Sequence, residues 1–199
     1  NPTLLPVPPT VPSEVAILRT ELPGIITVHK KTNLQNPSSD WSQFLAENDC
    51  CHLAVIERYG VEGNVAYGFL QNFGLKEGAV ASSVGHDAHN VIVAGFDVAS
   101  MKLAIETIRE SQGGLAVVQA GKVVAFVALP IAGLISDLRA DEVAEAASKV
   151  KSAWVAAGCT LPYMGFNLLP LSVIPEIRLT DKGLVKVPEM EIEPLFKAL

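Results

Sequence analysis

Between Gly24 and Gly95 the chain is cut into runs of β-branched and small apolar residues, each about one strand long and bounded by turn-forming residues. The runs are "GIITVHKK" from Gly24 to Lys31, "CCHLAVIERYG" from Cys50, "NVAYGFLQNFG" from Asn64, "GAVASSV" from Gly78 and "NVIVAG" from Asn90. Runs this short, rich in Val and Ile and punctuated by Gly, Asn and Asp, commit the first half of the chain to a sheet. The one interruption is a loop over Asn36 to Asp40, where Ser39 or Asp40 can cap a short helix over Trp41 to Glu47, near 40–48.

From Asp97 the period changes. Met101, Ala104, Ile105 and Ile108 share one face of a helix, at about 98–112, that Asp97 or Ser100 can cap and Gly113-Gly114 ends. "LAVVQAGKVVAFVALP" then reads as a hairpin through Ala120-Gly121. A longer helix at 140–157 carries the apolar stripe Val143, Ala146, Ala147, Val150, Ala153, Trp154 and Ala157, with acids in its first turn and Gly158 after it. Proline-punctuated extended pieces and a last hairpin around Thr180 to Gly183 follow. Neighbouring strands with short turns and late helices predict an α+β fold: mixed, mainly antiparallel sheet with two long helices and one short one packed on it.

With 49% apolar and 18% charged residues, disorder is excluded, and 199 residues can bury a proper core. The longest apolar stretch, Val123 to Ile135, contains Pro130 and is too short to span a bilayer, so no membrane partner is expected. The start shows no signal-peptide pattern. Residues 1–14 ("NPTLLPVPPTVPSE") read as a proline-rich linker remnant, with no initiator Met, and 15–199 as a single domain. A net charge of −6 and no basic run longer than Lys30-Lys31 argue against nucleic acid. Three cysteines, two of them adjacent, draw neither a disulfide framework nor a metal knuckle and fit a reducing cytoplasm.

"SSVGHDAHN", Ser82 to Asn90, packs two histidines, an aspartate, an asparagine and two serines into nine residues of this weakly charged chain. In a continuous strand His86 and His89 would face opposite ways, but Gly85, Asp87 and Asn90 favour a turn, which gathers His86, Asp87 and His89 together. Two readings stand side by side: a polar turn whose Asp87 and Asn90 bond its own backbone, or a functional loop in which Asp87 orients an imidazole. The spacing matches no known closed metal site, so no metal ligand is assigned. Cys50-Cys51-His52 suggests a thiol nucleophile, yet Cys51 and His52 alternate across a strand, which favours a core role. Glycines 60, 63, 68, 74 and 78 form no phosphate-loop pattern and mark turns and bulges. No nucleophile elbow, zinc-protease helix or zinc-deaminase signature occurs.

"NVAYGFLQNFGLKEGAVASSVGHDAHNVIVAG", "GGLAVVQAGKVVAFVALPIAGLISD" and "AAGCTLPYMGFNLLPLSVIPEIRLTDKGLVKV", in this order, closely resemble the C-terminal region of the prokaryotic adenine deaminases of the amidohydrolase superfamily. The similarity runs from about Val65 to Val187, and Gly85 and Ala88 replace the alanine and serine more usual in that family. The resemblance implies an intact enzyme that hydrolyses adenine to hypoxanthine and ammonia with water activated by a divalent metal (iron, manganese or zinc). That metal would sit in an amidohydrolase barrel absent from these residues. The barrel and adenine are then the implied partners, a homo-oligomer being a further one, and no cofactor is expected on this chain. Ser83, His86, Asp87, His89 and Asn90 are the residues expected to face the barrel or its substrate, without a catalytic assignment. The alternatives are a stand-alone binding or assembly module of the same fold, and an independent enzyme using the His-Asp-His turn with a metal.

Overall fold

The computed structural model describes residues 4–21, 25–35 and 41–199. Its elements, in chain order, are β1 (Ser13–Thr20), β2 (Thr27–Leu34), α1 (Ser42–Glu47), β3 (Cys50–Ile56), β4 (Val65–Gln71), β5 (Ala79–Gly85), β6 (Asn90–Gly95), α2 (Val98–Glu110), β7 (Gly114–Gln119), β8 (Lys122–Ala128), α3 (Ala140–Ala156), α4 (Tyr163–Phe166), β9 (Ile177–Thr180), β10 (Gly183–Lys186), β11 (Glu191–Glu193) and β12 (Phe196–Ala198). Among the described residues nine strands form one sheet in the order β12-β1-β4-β3-β6-β5-β7-β8, with β2 also paired to β1. Among the described strands β1 with β4 is the one parallel pairing, and β9, β10 and β11 make a second, antiparallel sheet. The fold is therefore α+β with a mixed, mostly antiparallel sheet and, among the described residues, two long helices and two short ones.

The apolar runs alternate so as to bury both faces of the large sheet. Ala54, Ala79, Ala81, Val91, Val93, Ala116 and Val118 meet Met101, Ala104 and Ile108 of α2. Small side chains on the sheet let the helix approach it closely, and any larger residue there would overfill the space. The opposite face, with Val80, Ile92, Leu115, Val117 and Val127, packs against Val150 and Trp154 of α3, Phe166 of α4, and Ile177, Leu179 and Leu184 of the small sheet. A third cluster joins Val15 and Ile17 of β1 to Trp41, Phe44, Leu45 and Phe69.

The local signals explain the boundaries. The Asp97 carboxylate accepts the Ser100 amide at 2.7 Å and starts α2, and Ala120 (φ 48°) with Gly121 (φ 71°) closes the β7–β8 hairpin as a left-handed pair. In α3, Glu142 reaches back to the Arg139 amide at 3.1 Å. The alignment of predicted and observed elements has gaps. β1 was not expected from "SEVAILRT", which becomes a strand by pairing with β2, β4 and β12. β2 begins at Thr27, three residues after the expected Gly24, which lies outside the described residues, as do Asn36 to Asp40 and the expected caps Ser39 and Asp40. The lead itself touches the domain: Leu4 is buried, and the Trp41 indole donates to the Pro6 carbonyl at 3.2 Å.

Candidate functional site

His86 to His89 form the turn that joins β5 to β6, in the middle of the large sheet at its end and not along an edge strand. A register irregularity between Ser82 and Gly85 breaks the alternation just before the turn, and His89 takes a left-handed backbone (φ 54°). These two departures from strand geometry bring together side chains that a straight strand would separate. The imidazoles of His86 and His89 stand edge to face with centroids 5.2 Å apart. One donor atom from each of His86, Asp87 and His89 lies within 4.8 Å of the others, and His86 Nδ1 is 3.9 Å from Asp87 Oδ1. Both imidazoles are half-buried, and Asp87 is exposed.

Residues remote in sequence hold this turn from several sides. Arg58 Nε donates to the His89 carbonyl at 2.6 Å, and its Nη2 donates to the Ala132 carbonyl at 2.6 Å. The Tyr59 hydroxyl donates to the Ala88 carbonyl at 2.8 Å, and the His86 amide donates to the Asn167 carbonyl at 2.7 Å. Tyr59 is itself fixed by Glu57, whose carboxylate accepts the amides of Tyr59, Val61 and Gly63; the Gly63 amide foremost holds it below the usual carboxylate range. On the other side the buried Arg178 guanidinium donates to the carbonyls of Ile174, Leu168, Pro175 and Ile25, which orders the segment carrying Asn167 and Pro170. Burial without a carboxylate partner pushes Arg178 down to about 10. The turn is thus a rigid mount for three chemically active side chains.

The five residues singled out from sequence do not share one environment. Ser83 is fully buried, its hydroxyl donating to Gly133 O at 2.6 Å and accepting the Gly114 amide at 2.9 Å. It stitches β5 to β7 and to the 130s loop, beside a cleft of about 380 Å³ on the α2 face that Glu57, Arg58, Ile105 and Arg109 also line. Asn90 is buried too, and its Oδ1 has no hydrogen-bond partner. His86, Asp87 and His89 alone present side chains outward. Arg58, Tyr59 and Asn167 were missed because nothing in their own neighbourhoods marks them. They act through backbone carbonyls brought close by the fold.

The thiol reading fails on chemistry. Cys51 lies in the core on one face of β3 while His52 lies on the other, between Trp41 and Phe69. Burial pushes the Cys50 and Cys159 thiols up to about 12 and Cys51 well upward, so no thiolate forms near neutrality. All three cysteines are free. No helix among the described residues is long and apolar enough to cross a membrane.

Comparison with known proteins finds similarity over nearly the whole chain. Residues 24–191 match the family model described as the adenine deaminase C-terminal domain. An adenine deaminase of Bradyrhizobium sp. (strain BTAi1) is 57% identical over 195 residues, which covers 98% of this chain and 32% of that protein. One from Chelativorans sp. (strain BNC1) is 57% identical over 196 residues, with the same coverage of 98% and 32%. One from Clostridium botulinum is 43% identical over 163 residues, 81% of this chain and 27% of that protein. The similarity therefore extends well beyond the Val65 to Val187 span legible in the sequence, taking in β1 and β2. The chain spans about a third of the length of these curated relatives.

Proposed function

The chain belongs to the adenine deaminase C-terminal domain family, and from that premise we propose that it serves as the C-terminal domain of an adenine deaminase, presenting the His86 to His89 turn to the mouth of a barrel-borne active site. The observation that carries this reading is the coverage: relatives named adenine deaminase match the chain almost end to end, yet over only about a third of their own length. The intact enzyme would convert adenine and water to hypoxanthine and ammonia. A divalent metal held by the barrel would supply hydroxide to the ring carbon that bears the amino group.

This chain's share is positional. His86, Asp87 and His89 would close the pocket, exclude bulk water and offer hydrogen bonds to a purine edge, while Arg58, Tyr59, Asn167, Ser83 and Asn90 hold the turn in place. Ile131 and Ile135, both exposed, lie on the loop that Arg58 ties to the turn, and their apolar surface suits burial against a neighbouring domain. Free, buried cysteines suit a cytoplasmic setting.

The test is steady-state deamination by the parent-length enzyme. His86→Ala, and His89→Asn, which tolerates the left-handed backbone, should each lower kcat/KM for adenine by about tenfold or more with the thermal midpoint unchanged. Wild-type kinetics in both variants would leave the turn a structural feature alone.

A further inference from the structure

We propose that His86, Asp87 and His89 bind one divalent transition-metal ion on the β5–β6 turn, through one nitrogen of each imidazole and one carboxylate oxygen. The inference goes beyond the proposed function, since it needs only residues of this chain and holds whether or not the turn meets a barrel.

Geometry comes first. The three donor atoms already lie within 4.8 Å of one another, with 3.9 Å between His86 Nδ1 and Asp87 Oδ1. A tetrahedral ion with metal–nitrogen bonds of about 2.0–2.1 Å needs ligand separations of about 3.4 Å. Small side-chain rotations close the difference, and Asp87, at 86% side-chain exposure, is free to make the largest one. The backbone does not have to move. Arg58, Tyr59 and Asn167 already fix the carbonyls and amide of the turn, so little ordering is lost on binding.

A second, independent observation points to a ligand at the same place. Among the described residues, His89 Nδ1 is one of five buried side-chain polar atoms that lack a hydrogen-bond partner. Buried acceptors without donors are costly and uncommon. A metal ion would use that imidazole lone pair.

Chemistry selects the ion. Two imidazoles and one carboxylate suit zinc and its first-row neighbours, whereas magnesium and calcium require a shell of oxygens. The Arg58 guanidinium stands on the backbone side of His89 and disfavours a cation held by charge alone. Three protein donors leave at least one position for water or a ligand atom.

The experiment uses the 199-residue chain, freed of metal and titrated with zinc chloride. Competition with a chromophoric chelator should give one zinc per chain. Of the four histidines, the imidazole resonances of His86 and His89 should shift on addition of zinc while those of His29 and His52 stay in place, a readout that requires no variant. Asp87→Asn, on an exposed side chain, should weaken zinc binding more than about tenfold, and His86→Ala should abolish it. Zinc that fails to bind stoichiometrically, that shifts His29 in place of the turn pair, or that binds His86→Ala as tightly as the unaltered chain would overturn the proposal.

Discussion

His52 makes the chain acid-sensitive in a window that can be worked out from its surroundings. The imidazole is only 2% exposed, lies 5.8 Å from Phe69 and 6.5 Å from Trp41 between ring centroids, and leaves Nδ1 without a partner. Burial lowers it from 6.5 to about 4. As pH falls below 6.5 the unfolded chain takes up a proton that the folded chain refuses, so stability is full above that value and declines until about pH 4. At about 1.36 kcal/mol for each tenfold difference in proton affinity, this one residue removes about 3 kcal/mol by pH 4. Urea denaturation followed by fluorescence of the buried Trp41 and Trp154 at about pH 7.5 and about pH 4 measures it. His52→Leu fills a similar volume, cannot titrate and leaves no unpartnered nitrogen. The variant should gain about 3 kcal/mol on the wild type between the two conditions, with all other titrating groups cancelling in the comparison. An unchanged difference, or one in the opposite direction, would refute the reasoning.

Gly78→Ala should cost about 2 kcal/mol or more by urea midpoint, because a Cβ there would lie 2.0 Å from the Val118 carbonyl on a backbone with φ +72°. Trp154→Ala should cost about 3–5 kcal/mol and lower the thermal midpoint, since it empties the space among Phe73, Tyr163 and Phe166 and strands the Leu161 carbonyl that accepts the indole N–H at 2.8 Å.

Elements whose signals are local were legible in the sequence. The Asp97 cap, the stripe ending in Val150, Trp154 and Ala157, and the Ala120-Gly121 turn each determine their own conformation with neighbours a few residues away. β1 became a strand through pairing with β2, β4 and β12, partners that "SEVAILRT" does not contain. β11 and β12 are three residues each and mostly exposed, with Phe196 of β12 stacked on Trp41, and they exist because β10 and β1 offer edges to pair with. At the candidate site the same division applies. The nine residues from Ser82 to Asn90 declared a polar turn, but not which side chains point outward: Ser83 turned inward to Gly114 and Gly133, and the braces Arg58, Tyr59 and Asn167 are separated from the turn by tens of residues.

The most direct measurement of the central claim is hypoxanthine formation from adenine by the 199-residue chain alone, with zinc or manganese supplied. A domain that mounts a polar turn for a reaction centred elsewhere should form none above the uncatalysed rate. Turnover that a chelator abolishes and metal restores would contradict that account and make this chain a deaminase in its own right.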